Sequence, residues 1–155
     1  IDQIANIKMA LLDKKELDGA KTDDMLPEEM SPLCDNLCEI VASMDKVVTM
    51  MTKQTAILKG VAELERHQQK QRGDSEDSIL FLTWPVEKFY ETSYELETMY
   101  KQEMKLKQTI CSYVAHADNR ELLMYYTAAW VHEPYIGTNS SFLLETLLHE
   151  TEHHS

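Results

Sequence analysis

Five residues near the end of the chain, His149-Glu150-Thr151-Glu152-His153, have the form H-E-x-x-H. On a helix this spacing sets two histidines one turn apart with a glutamate beside them, an arrangement that holds zinc and activates water in zinc peptidases. The same letters also satisfy the inverted form H-x-x-E-H. Catalytic zinc takes a third protein ligand, which those families supply downstream, and only His154 and Ser155 follow here. The expected reading is therefore a charged helix end, with a zinc-dependent hydrolase through His149, Glu150 and His153 as the lesser alternative.

Cys34 and Cys38 stand one helical turn apart, without the C-x-x-C spacing of zinc and redox sites, and read as small buried hydrophobes. With Cys111 they make three, an odd and sparse count that points to a reducing compartment rather than a disulfide framework. In such a compartment the sequon Asn139-Ser140-Ser141 carries no glycan. Ser31-Pro32 is a candidate proline-directed phosphorylation site, and phosphate at a helix N-terminus is electrostatically favoured. Arg120-Glu121-Leu122-Leu123 has the R-x-L-hydrophobic form of cyclin-docking peptides, but both leucines also fit a helix core. No phosphate loop, nucleophile elbow, dinucleotide fingerprint or kinase signature occurs. The expectation is no catalytic residue, no cofactor and no metal, hence not an enzyme.

The elements that would position these residues are helices. The chain has 155 residues, 43% of them hydrophobic, with 4 glycines and 4 prolines, too few for a turn-rich β fold. Net charge is −12, which repels a phosphate backbone, so no direct nucleic-acid partner is expected; the basic stripe Lys46, Lys53, Lys59 and Arg66 is modest. No apolar run is long enough to span a membrane. The chain starts at Ile1 rather than Met, which points to trimming at its N-terminus.

From about Glu28 to Gln71, Leu33, Leu37, Ile40, Met44, Val47, Met51, Gln54, Leu58 and Val61 follow one another at alternating steps of 4 and 3, a heptad seam. Cys34, Val41 and Val48 widen the stripe, more than a two-stranded zipper needs. Leu33, Leu37, Ile40, Val41, Met44, Val47, Val48, Met51, Leu58 and Val61 are the candidate partner-binding residues. The helix would be roughly 65 Å long. The polar stretch 71–78 and the apolar run Ile79–Leu82 lead to a second helix, Pro85 to Ala117, with Phe89, Leu96, Met99, Leu106, Ile110 and Tyr113 inward and Thr92 and Glu103 filling slots of the same pattern. Asp118 caps a third helix (119–133) holding Leu122, Leu123, Tyr126, Ala129 and Trp130, ended by Pro134. A last helix (142–153) carries Phe142, Leu144, Leu147 and Leu148. Residues 1–29 read as a short helix with Ile4, Ile7 and Leu11 inward, then an acidic linker, and 30–155 as one domain.

The strings Phe81-Leu-Thr-Trp84-Pro85 with Phe89-Tyr90-Glu91, Leu96 to Lys107, Trp130-Val-His132-Glu-Pro134-Tyr135, Leu144-Glu145 to Glu150-Thr151, and Ile4-Ala-Asn-Ile-Lys resemble the cyclin-dependent kinase 2-interacting protein family. The match is carried mainly from Leu80 onward. Trp84, Pro85, Phe89, Tyr90, Trp130, His132, Pro134 and Tyr135 are its motif residues. The family's basic and polar N-terminal tail is not in this sequence. The resemblance implies a nuclear and cytoplasmic adaptor without catalysis. It implies partners in a cyclin-dependent kinase with its cyclin and in a checkpoint kinase, with roles in the cell cycle, DNA replication and DNA damage. It also implies a place in an AAA-type ATPase assembly acting in large ribosomal subunit maturation and replisome protein unfolding.

The expected architecture is all-α: a long antiparallel, coiled-coil-like hairpin of helices 28–71 and 85–117 with a small C-terminal helical cap anchored by Trp84, Trp130 and Tyr135. A helical protein partner would cover the excess stripe in a hetero-oligomer. A self-associating structural coiled coil is the alternative.

Overall fold

The computed structural model describes residues 1–18, 27–73, 79 and 81–152. These residues are all-α. They form α1 (Asp2–Asp18), α2 (Met30–Arg72), α3 (Val86–Tyr113) followed by a 3₁₀ turn (Val114–His116), α4 (Arg120–His132) and α5 (Ser140–Glu150). No strand is present among them beyond one isolated bridge, Ile79 with Pro85.

The helix ends follow local chemistry. Pro32 lies in the first turn of α2, where a missing N–H has no intrahelical partner to lose. The helix stops where Gly73 takes φ +69°, a left-handed conformation that glycine adopts without a Cβ penalty. Pro85 accepts from Lys88 N–H at the start of α3. The cap of α4 is Asn119 rather than Asp118: Asn119 is extended and its side chain accepts from Leu122 N–H at 2.8 Å, while Asp118 accepts from the Asn119 amide. Asn119 sits at the right distance to bond the third N–H of the helix, and Asp118 does not.

Internal contacts divide the chain into two compact units, Ile1–Asp45 with Glu103–Pro134, and Lys46–Gln102 with Tyr135–Ser155. In unit 1, Ile4, Ala5, Met30, Leu37, Ile110, Val114, Ala115, Ala117 and Leu123 form a buried cluster, against which Leu122, Tyr126, Ala129 and Trp130 of α4 pack as their spacing predicts. α1 runs six residues past Leu12, the end of its expected apolar segment, to Asp18, and packs on α4 and the 3₁₀ turn. Tyr113, expected inward at the end of the second helix, is exposed, and Val114 beside it is buried instead.

In unit 2, Val86, Phe89, Thr92 and Leu96 of α3 are buried, and Thr55 Oγ1 of α2 lies 2.7 Å from Ser93 Oγ. Arg66 pairs with Glu87 at 2.6 Å. α5 turns Ser140, Leu143, Leu147 and Glu150 inward, at steps of 3, 4 and 3. Phe142, Leu144 and Leu148, three of the four apolar residues noted for this helix, are exposed. The inward row is set by Glu150, whose carboxylate is tied to the chain before α3. At Gly137 a Cβ would lie 2.6 Å from Asn139 Oδ1 and 3.4 Å from Met99 Sδ, so a larger residue there requires the Asn139 side chain to shift.

Candidate functional site

The broad apolar stripe of α2 divides into two faces. The seam that the molecule buries is Cys34, Leu37, Val41, Met44, Val48, Met51, Thr55, Leu58 and Ala62, at alternating steps of 3 and 4, all buried or half-buried. Leu37, Met44, Met51 and Leu58 of the predicted seam therefore belong to it. Ile40, Val47 and Val61 do not, and this corrects the expectation that they share a face with Leu37 and Met44: all three are exposed. The physical reason lies at two positions. Thr55 can satisfy its hydroxyl against Ser93, and Ala62 permits close approach. The competing row would bury Gln54, whose amide needs several partners.

Within unit 2, Val47, Met50, Ile57, Val61 and Leu64 lie 42–62% exposed on the remaining face. At 3.6 residues per turn this row is centred about 120° round the helix from the buried seam. Met50, Ile57 and Leu64 are not among the candidate partner-binding residues. They belong to a second row of alternating 3 and 4 steps (Val47, Met50, Gln54, Ile57, Val61, Leu64) that runs beside the first. In unit 1, exposed Ile40 lines a shallow open groove with Asn36, Glu39, Ser43 and Met44. Of the other candidate partner-binding residues, Leu37, Val41 and Val48 are buried and Leu33, Met44, Met51 and Leu58 half-buried, so the free surface of α2 is the other row.

The buried seam of unit 2 also has a polar part, where Thr52 and Thr55 of α2 meet Glu97 of α3. Burial alone would raise the Glu97 carboxyl, but hydrogen bonds from Lys101, Thr52 and Thr55 and the Lys101 charge outweigh it and hold the group below the usual glutamate range. The Lys101 ion pair measures 2.5 Å. A group depressed in the folded state adds stability above its unfolded pKa, and that stability is lost as pH falls through the folded pKa. Glu97→Gln should therefore remove this contribution at neutral pH and flatten the acid limb of the stability curve, below pH of about 4, so that parent and variant converge on acidification. Urea midpoints measured across that range check this; an unchanged acid limb would exclude Glu97 as its source.

The carboxylate of the H-E-x-x-H string is occupied. Glu150 Oε1 accepts from the Thr83 hydroxyl at 2.5 Å, and Oε2 accepts from the Thr83 and Trp84 N–H groups at 2.9 and 3.1 Å. The Thr83 hydroxyl bond, opposed by burial and helped by the two backbone N–H groups, holds this carboxyl below its ordinary range. His149 is exposed, and His153 lies outside the described residues. The tie fixes Trp84, whose ring meets Phe89 edge-on at 5.2 Å, and Phe81 also meets Phe89 edge-on, at 5.6 Å. Pro85 and Tyr90 are half-buried and Phe89 is buried. The first family string is thus a braced turn feeding α3.

The second string ends α4 in unit 1. Lys107 of α3 is buried, and its Nζ donates to the Trp130 carbonyl at 2.6 Å and to Glu133 Oε1 at 3.2 Å. It also pairs with buried Glu103 at 3.4 Å and lies 4.5 Å from the centre of the Trp130 ring. Glu133 closes the helix at φ 45°, ψ 59°, a position where glycine is usual. Its bond to Lys107 explains a glutamate there. His132, Pro134 and Tyr135 are exposed, so Tyr135 is not the buried anchor that was expected.

The remaining motifs separate. Ser31 is exposed in the first turn of α2, accessible to modification. In Arg120-Glu121-Leu122-Leu123, Leu123 is fully buried, Leu122 packs on the same cluster, and Arg120 is ion-paired to Asp13. This string is core, not a free peptide. Among the described residues no group of three or more histidine, cysteine or acidic side chains has metal-holding geometry, and no helix is long and apolar enough to cross a membrane.

No family model matches the chain. It is 40% identical over 136 residues to the cyclin-dependent kinase 2-interacting protein of Xenopus laevis, a match covering 88% of this chain and 63% of the frog protein. It is 37% identical to the Mus musculus protein of the same name and 34% to the Homo sapiens one, across 97% and 98% of this chain and 75% and 76% of theirs. The chain thus spans between about three fifths and three quarters of these relatives. That extent of identity, running through both the Trp84 turn and the Trp130 helix end, places the chain in the cyclin-dependent kinase 2-interacting protein family.

Proposed function

We propose that this chain is a non-catalytic adaptor that binds partner proteins through helical surfaces, cyclin-dependent kinase 2 among them, as the names of its relatives indicate, and its cyclin by family resemblance. The observation that carries this reading is the outward row Val47, Met50, Ile57, Val61 and Leu64 on α2. A sustained apolar row at heptad spacing fits a second helix. Each such side chain contributes about 1.5–3 kcal/mol when fully covered, before the costs of association. Two copies of a chain with net charge −12 repel each other, which favours a foreign helix over a self-associated coil. The nearest thing to a catalytic carboxylate, Glu150, serves as a brace. By family resemblance the adaptor acts in the nucleus and cytoplasm. It also joins an AAA-type ATPase assembly in large ribosomal subunit maturation and replisome protein unfolding, and links the checkpoint kinase to DNA replication and damage. Ser31 is its candidate phosphorylation site.

The test is a triple variant, Val47→Asp, Ile57→Asp and Leu64→Asp. All three side chains are exposed, so helix content and unfolding midpoint should stay near the parent's. Affinity for a purified kinase–cyclin complex should fall by at least about a hundredfold, the equivalent of losing one or two covered side chains. Undiminished binding by a folded variant excludes this face. A parent that sediments as a dimer, and a variant that is monomeric, would select the self-associating coil instead.

A further inference from the structure

All three cysteines lie in unit 1, and the structure brings together two that are 73 residues apart: Cys38 Sγ on α2 is 3.0 Å from Cys111 Sγ on α3, both as free thiols. This departs from the expectation of inert buried cysteines, since Cys38 is exposed. We propose that Cys38 and Cys111 form a reversible disulfide when the protein meets an organic disulfide oxidant, clamping α2 to α3 within unit 1.

A disulfide needs its sulfurs at about 2.05 Å, so the pair must close by about 1 Å, within reach of side-chain rotation. The competing pair, Cys34 and Cys38, is one turn apart on a single helix, where Cβ atoms stand about 5–6 Å apart against the roughly 3.5–4.5 Å that a disulfide allows.

The two sulfurs take different roles. Burial pushes the Cys111 thiol up to about 12, helped by its hydrogen bond to Cys38 and by the charges that Cys38 and Cys34 would carry. Cys111 therefore waits as a thiol, and Cys38, at the surface, attacks first. Its thiolate attacks one sulfur of oxidised glutathione, forming a mixed disulfide, and the expelled glutathione thiolate takes up the proton that Cys38 gave away. Cys111 then gives its proton to the second leaving glutathione as its sulfur attacks the Cys38 sulfur. The protein loses two hydrogens and two electrons, and one glutathione disulfide becomes two glutathione thiols.

The experiment treats the folded full chain with oxidised glutathione, blocks the remaining thiols, and maps peptides by mass. The expected product is a monomer lighter by two hydrogens, with the Cys38 and Cys111 peptides linked and Cys34 blocked, reversed by dithiothreitol. Cys111→Ser should stop at one glutathione on position 38, Cys34→Ser should behave as the parent, and Cys38→Ser should form no intramolecular bond. Should Cys111→Ser fail to fold, the linked peptide of the parent still decides. No cross-link, a Cys34–Cys38 link, or only intermolecular dimers would overturn the proposal.

Discussion

Replacing Lys107 with methionine should destabilise unit 1 by about 3–5 kcal/mol, the cost of stranding a buried charge. Methionine matches the length of the lysine stem and carries no ammonium. The Lys107 side chain is 2% exposed and Glu103 is 5% exposed, so neither can recover its hydration in place. Removing the cation takes away a partner of Glu103 at 3.4 Å, the donor to the Trp130 carbonyl at 2.6 Å, and the group that holds Glu133 in its left-handed turn. A domain stable by about 5–15 kcal/mol would lose a third or more of its margin. Urea denaturation, with hydrogen exchange at Leu123 and Val114 as local probes, reads the effect. The double variant Lys107→Met with Glu103→Met removes both charges and should regain most of the loss. A single variant costing less than about 1 kcal/mol would mean that the ammonium compensates no buried charge.

That network was only half legible in the sequence. Glu103 falls in a slot of the 3–4 pattern of its helix, and its burial follows from that position. Lys107 also falls on an inward row, with Ile110 and Val114 after it, but a lysine four residues after a glutamate reads first as a solvated surface pair. Its other partners, the Trp130 carbonyl and Glu133, come from α4 and its cap, and no spacing along one helix reveals them. The left-handed Glu133 is likewise invisible before the structure, because the letters Glu-Pro mark only that the helix stops.

The long helix shows the opposite failure. Its period was plain and its phase was not. Three neighbouring rows of α2 are apolar, and hydrophobicity alone cannot choose which two face inward. The choice rests on Thr55 against Gln54 and on Ala62 against Val61, differences of hydrogen-bonding capacity and size. In α5 the apolar letters misled outright, since Ser140 and Glu150 are buried while Phe142, Leu144 and Leu148 face out. A carboxylate that caps a distant turn overrides the hydrophobic count of a short helix. The same failures mark the surfaces of interest, because apolar residues that the chain's own packing rejects are the ones left for a partner.

Leu123→Ala should cost about 2–5 kcal/mol, and this bears on how any cyclin contact is tested. Leu123 has no exposed surface, and it sits in the cluster with Ile4, Ile110 and Val114, where alanine would leave a cavity. Mutating an R-x-L string to alanine is the natural first experiment on a suspected docking peptide. Here it would loosen unit 1, and the resulting loss of binding would imitate the loss of a docking site. Arg120→Ala separates the two cases. Arg120 is exposed and its pairing with Asp13 is at the surface, so its removal should leave the unfolding midpoint nearly unchanged. If kinase–cyclin binding survives Arg120→Ala and falls in Leu123→Ala in step with stability, the string is core and the contact lies elsewhere. If Arg120→Ala abolishes binding in a folded protein, the string must leave the core to dock, and the burial of Leu123 describes only the unbound chain.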